Sequence, residues 1–186
     1  MAKVILGVTI SLDGFAEDKS GSVGPLYPDL DVLRDTGVMR EAQRNAGAVV
    51  MSWKEFSMAE DPDTYADNYE FQVPIFVFTD KVPEKHPKEN EAVTFTFVTD
   101  GVESAVRQAK AAAGDKDVQI IGSAKTVQEF LQKGIADELQ VDIISILLHE
   151  GACPFESLDK SIKLERTKVV ELPAGRTHLR FRVLKE

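Results

Sequence analysis

The spacing of apolar residues constrains this chain most: short β-rich runs alternate with stretches of helical period, and then the helices stop and the tail is almost all strand. Such an order demands a sheet that is parallel where helices cross over and antiparallel where they no longer do. Val4 to Ile10 is nearly continuous in apolar residues, as expected of a sheet centre covered on both faces. Leu30, Leu33, Val38, Met39, Ala42 and Ala46 fit one helical face, and Gly47 is expected to close that helix. Ala48 to Met51 is a second buried strand, followed by a polar stretch from Trp53 to Asn68 read as a short helix and a surface loop. Pro74 introduces Ile75 to Thr79, and a charged loop separates it from a fourth strand at Val93 to Val98.

The next two segments carry the best start and stop signals. Asp100 is placed to cap a helix with Glu103 three residues on, Val102, Ala105, Val106 and Ala109 line its inner face, and Gly114 ends it. Val118 to Ile121 runs as a strand into Gly122, and Ser123 is placed to cap a helix bearing Val127, Phe130 and Leu131 up to Gly134. The tail reads as strands at Leu139 to Leu148, Ile162 to Val170 and His178 to Val183, the last alternating polar with apolar residues. The fold class is therefore α/β: a mixed, mostly parallel sheet with helices on both faces and an antiparallel C-terminal hairpin. Ligands of such sheets collect at the C-terminal ends of the parallel strands.

At 186 residues, with no Pro-, Gly- or Ser-rich linker and no internal repeat, the chain is expected to form a single domain over 1–186. Its formal charge of -9 argues against nucleic acid and anionic membrane surfaces as partners, since phosphate neutralisation needs a basic face. A small anionic ligand then requires local positive charge. The lone Cys153 makes an internal disulfide impossible, and His86, His149 and His178 are too scattered for a zinc cluster, so no metal is expected. The first apolar run is far shorter than a membrane span, which makes the expected location cytoplasmic.

Four expected strand ends are chemically suggestive together. The first ends in Ser11-Leu12-Asp13-Gly14-Phe15, the second in Met51-Ser52-Trp53-Lys54, the third in Thr79-Asp80-Lys81, and the fifth in Gly122-Ser123-Ala124-Lys125-Thr126. Three of the four bring a lysine, and the last places backbone N–H groups at a helix N-terminus, a ready anion site. Ser-Leu-Asp-Gly at 11–14, the strand-Gly-Ser-Ala-helix element, Ile135 to Leu139 and Glu150 to Phe155 occur in the order found in the dihydrofolate reductase-like superfamily. The chain resembles in particular the C-terminal reductase domain of the bifunctional riboflavin-biosynthesis deaminase/reductase and its stand-alone relatives, over nearly its whole length.

That resemblance implies an NADPH-dependent reductase of a pyrimidine- or pterin-like compound, in the closest family 5-amino-6-(5-phosphoribosylamino)uracil. It implies that Val8, Gly14 and Phe15 line the nicotinamide and that Gly122, Ser123, Ala124, Lys125 and Thr126 hold the pyrophosphate. Met51, Ser52, Trp53, Lys54, Thr79, Asp80 and Lys81 would flank the adenosine phosphate. A homodimer is a further expectation of the family. Asp13 is either a loop cap or a catalytic group beside the cofactor or substrate. Asp29 and Asp31 stand where carboxylates favour a helix dipole, and an acidic residue on this helix can face the heterocycle in the resembled reductases, making Asp31 the candidate proton donor. Relatives commonly carry Gly-Arg at Ser52-Trp53 and Gly-Gly at Gly122-Ser123. Those departures keep open an alternative, a nucleotide-binding or interaction protein on the same fold without turnover.

Overall fold

A computed structural model describes residues 2–185. The apolar runs become β1 (Val4–Ser11), β2 (Ala46–Ser52), β3 (Ile75–Phe78), β4 (Phe95–Val98), β5 (Asp117–Ile121), β6 (Glu138–Ile144), β7 (Leu164–Glu171) and β8 (Thr177–Val183). The strands lie in the order β4-β3-β2-β5 in one part of the chain and β1-β6-β8-β7 in the other. The α-helices among the described residues are α1 (Leu30–Arg34), α2 (Gly37–Asn45), α3 (Trp53–Phe56), α4 (Tyr65–Asn68), α5 (Val102–Ala113) and α6 (Ala124–Gln132). The chain divides into two compact units.

The first unit is Glu41–Ile121 with the chain's first residues up to Val4. In it β2 pairs in parallel with β3 and β5, and β3 with β4. Val49, Val50, Ile75, Val77, Val118 and Ile120 are buried, and α5 packs Ala105, Val106 and Ala109 on these strands, its alanines permitting close approach. Gly47 is not a helix stop: it lies inside β2, where a Cβ would sit 2.8 Å from Ala113 Cα, so close packing against the end of α5 explains it. Asp100 does not cap α5 either. The N-cap is Gly101, in the left-handed region at φ 101°, with no side-chain cap bond.

The second unit is Ile5–Arg40 with Gly122–Glu186. Here β1 and β6 are parallel, while β6–β8 and β8–β7 are antiparallel, the hairpin read from the tail. The expected first helix is two, because the Thr36 hydroxyl donates to Leu33 O at 2.8 Å and accepts from Met39 N, competing with the helical ladder. Strand β6 stops at Ile144, short of the expected Leu148, because the chain turns there, Ile146 donating its N–H back to Ile144 O, and Leu148 and His149 then donate to Asp13.

Register divides this unit's sheet into two chemically opposite faces. Leu139 pairs with Phe181 and Val141 with Leu179, lining a cavity of about 520 Å³ together with Leu131 of α6. On the other face Asp142 pairs with His178 and Gln140 with Arg180.

Candidate active site

The polar face of the second unit is built by strand register. Thr9 of β1 lies opposite Asp142 of β6, and Asp142 opposite His178 of β8, a row of three polar side chains across adjacent strands. His178 Nδ1 is 2.6 Å from Asp142 Oδ1. Arg180 Nε donates to His178 Nε2 at 2.9 Å, which leaves Nδ1 to donate to Asp142. Tyr27 closes one side by donating its hydroxyl proton to Thr9 Oγ1 at 3.1 Å.

Arg176, 1% exposed, anchors this row from beneath. Its Nε donates to Asp29 Oδ2 at 2.9 Å and its Nη2 to Asp29 Oδ1 at 2.6 Å, a two-pronged pair, while Nη2 also donates to Leu26 O. Its Nη1 lies 3.5 Å from Asp142 Oδ2 without a hydrogen bond, and its guanidinium lies over the Tyr27 ring at 5.5 Å. A buried cation of this kind persists only with such partners. Arg176's hydrogen bonds hold the Asp29 carboxyl below the usual carboxylate range, against the opposing effect of burial. Asp29 therefore spends its carboxylate on Arg176 and makes no side-chain cap bond to α1; Asp31, two positions on, is exposed.

At the mouth of β1, Gly14 takes φ 93° and donates to Ser11 O, turning the loop tightly. Asp13 accepts from the Ser11 hydroxyl at 2.6 Å and from the N–H groups of Leu148 and His149 at 3.1 and 2.8 Å. The Ser11 bond above all, with those two N–H groups, lowers the Asp13 pKa to about 2. A carboxyl so held carries no proton near neutrality; it ties the β1 loop to the loop after β6. Phe15 is half-buried, its N–H bonded to Ser11 Oγ, and Val8 pairs with Val141 on the apolar face.

At the start of α6, Ser123, Ala124 and Thr126 are buried and Lys125 is exposed. A side chain on Gly122 would collide with Thr126, so packing within this turn already accounts for the glycine. Ser123 holds the N-cap position without a side-chain cap bond. The buried carboxylate of Glu17 instead meets this helix end, accepting from Ala124 N at 3.4 Å. The donors at α6 thus fit an anion, and the chain supplies one.

In the first unit, parallel pairing of β2 and β3 sets their C-terminal ends side by side. Lys81 Nζ consequently stands 5.1 Å from the Trp53 ring centroid. Ser52 is spent on a capping box with Glu55 at α3, and Thr79 on a turn with Lys81, accepting its N–H and donating to its carbonyl. Lys54 and Asp80 are exposed, whereas Met51 is buried with its sulfur facing the Tyr65 hydroxyl at 3.9 Å. Among the described residues no group of three or more His, Cys, Asp or Glu is placed to hold a metal, and no helix is long and apolar enough to cross a membrane.

Sequence reasoning missed Glu17, Asp142, Arg176, His178 and Arg180 as a functional set. The alternation of His178, Arg180 and Arg182 with apolar neighbours was the available signal for a polar face. Nothing local marked Arg176 as buried, since its partner Asp29 is 147 positions away.

A model of the RibD C-terminal domain matches residues 2–177. The Bacillus subtilis (strain 168) protein YyaP, itself uncharacterized, is 25% identical over 93% of this chain and 90% of its own. The crystal structure of a putative riboflavin biosynthesis protein from Shewanella sp. PV-4 is similar with a TM-score of 0.76 at 20% identity, covering 98% of this chain and 99% of that one. Dihydrofolate reductase from Enterococcus faecalis, solved with NADP(H), shares the fold with a TM-score of 0.64 at 13% identity, over 98% of this chain and 97% of that one.

Proposed function

The chain belongs to the RibD C-terminal domain family, and on that premise we propose that it is an NADPH-dependent reductase of the riboflavin-pathway type, acting on a pyrimidine- or pterin-like heterocycle. The observation that carries the reading is the polar face at Thr9, Asp142, His178 and Arg180, underpinned by the buried Asp29–Arg176 pair. A face of fixed donors and acceptors beside the mouth of β1 suits a planar ligand with several hydrogen-bonding edges, and it holds that ligand without rearranging. NADPH, when bound, supplies the hydride for reduction of a C=N or C=O bond. The chain's own part is to orient the acceptor, exclude water and deliver one proton.

Asp13 and Asp29 are held ionised by their partners, so each acts as a positioning residue, and Asp31 on α1 is the proposed proton donor. The N–H groups at the start of α6 would hold the cofactor's pyrophosphate. Taken by itself, the first unit sets Lys81 Nζ 5.1 Å from the Trp53 ring centroid, a flat surface with positive charge beside it.

A second reading, a nucleotide-binding protein without turnover, is favoured by the Ser52 hydroxyl being consumed in its own helix cap. Titration of NADPH into the purified protein, followed by cofactor oxidation with 5-amino-6-(5-phosphoribosylamino)uracil as acceptor, tests both. Saturable binding with substrate-dependent oxidation is expected. Binding without oxidation of this or a related pyrimidine or pterin would favour the second reading, and no saturable binding at millimolar NADPH would remove the first.

A further inference from the structure

Resting on the reductase reading, we propose that Glu17 is a built-in competitor for the cofactor's pyrophosphate, a residue that sets how tightly this chain takes a phosphate-bearing ligand. Glu17 is 4% exposed, and its carboxylate meets the α6 N-terminus, where Oε1 accepts from Ala124 N. On the reductase reading Ala124 N is one of the donors for the pyrophosphate, and the helix end favours a single anion there. A phosphate arriving beside a carboxylate in a buried setting meets like-charge repulsion, so the two exclude one another.

Glu17 is delivered to this place by its backbone. Ala152 N donates to Glu17 O at 3.1 Å, and Ala16 N donates to Ala152 O at 2.8 Å, a two-bond bridge on either side of residue 17. Gly151, at φ 148°, lies so close to the Glu17 carbonyl that a side chain there would overlap it. With the backbone pinned, the carboxylate leaves α6 by rotating its two-methylene arm, and the loop need not open. The neighbouring Asp18 differs in kind: its Oδ1 accepts from Ser20 N, Ser20 Oγ and Ser22 N, so its charge is spent within its own turn.

The test is calorimetric titration of inorganic pyrophosphate, and separately of NADPH, into wild type, Glu17→Gln and Asp18→Asn, with thermal melts to confirm folding. Glu17→Gln keeps an oxygen for Ala124 N and removes the charge, so it is expected to bind pyrophosphate about tenfold more tightly than wild type or better. Asp18→Asn is expected to match wild type. An affinity in Glu17→Gln within about twofold of wild type, no measurable pyrophosphate binding in either, or an equal gain in Asp18→Asn would each overturn the proposal. If Glu17→Gln gains pyrophosphate affinity but no protein binds NADPH, the reductase reading fails while the role of Glu17 stands. Should Glu17→Gln not fold, the amide resonance of Ala124 in the wild type decides: it is expected to shift on adding pyrophosphate, and a stationary resonance refutes displacement.

Discussion

Asp13 shows how a single carboxylate can be spent on architecture. Its pKa is about 2 against an ordinary value of 3.8, so its contribution to stability is complete above roughly pH 4 and is lost as pH falls through about 2. Thermal melts between about pH 4 and pH 2 should therefore lose more stability on acidification in wild type than in Asp13→Asn, which has no charge to lose there. Arg176 is the other residue on which much depends. Arg176→Met leaves Asp29 buried without its counter-charge and is expected to cost about 3–5 kcal/mol by urea unfolding, with part recovered in the Asp29→Asn, Arg176→Met double variant. Full additivity of the two substitutions would contradict their pairing. Position 29 was legible as an acid at a helix start, but its purpose was not, because the guanidinium that claims it arrives from the far end of the chain.

At the level of elements, glycines record where helices press on strands. Gly47 lies against Ala113 and Lys116, and a methyl group added there would stand 2.7 Å from Lys116 Cβ. Gly47→Ala should destabilise the protein by about 1–3 kcal/mol in urea unfolding, since the backbone of α5 has to move. Gly122→Ala meets Thr126 within the β5–α6 turn and should both lower the melting temperature and disturb the α6 donors, read as weaker pyrophosphate binding. An unchanged melting temperature would show that the turn relaxes freely. Elements were legible wherever apolar period was strong, as in α5, α6 and β1. Their ends were not: after β6 the chain turns, Ile146 N–H bonding back to Ile144 O and Asp13 taking the N–H groups of Leu148 and His149, and α5 has Gly101 at its N-cap because the turn before it needs a left-handed residue.

At the scale of the whole molecule, ligand binding and folding are linked. If the chain takes NADPH, the cofactor should add about 2.7 kcal/mol of stability at a hundredfold excess over Kd and so raise the melting temperature in a concentration-dependent way. The rise at equal cofactor concentration should be larger in Glu17→Gln than in wild type, measured by thermal shift. Sequence by itself determined the α/β class, the antiparallel tail and the requirement for local positive charge in a chain of net charge -9, because these follow from apolar period and composition, which are local or additive. The tertiary structure alone decided which charges meet. Strand register put Thr9, Asp142 and His178 in one row, and folding buried Arg176 against Asp29 and brought Glu17 to α6 across 107 positions. Such pairings depend on distances in space between residues remote in sequence, and no periodicity along the chain encodes them.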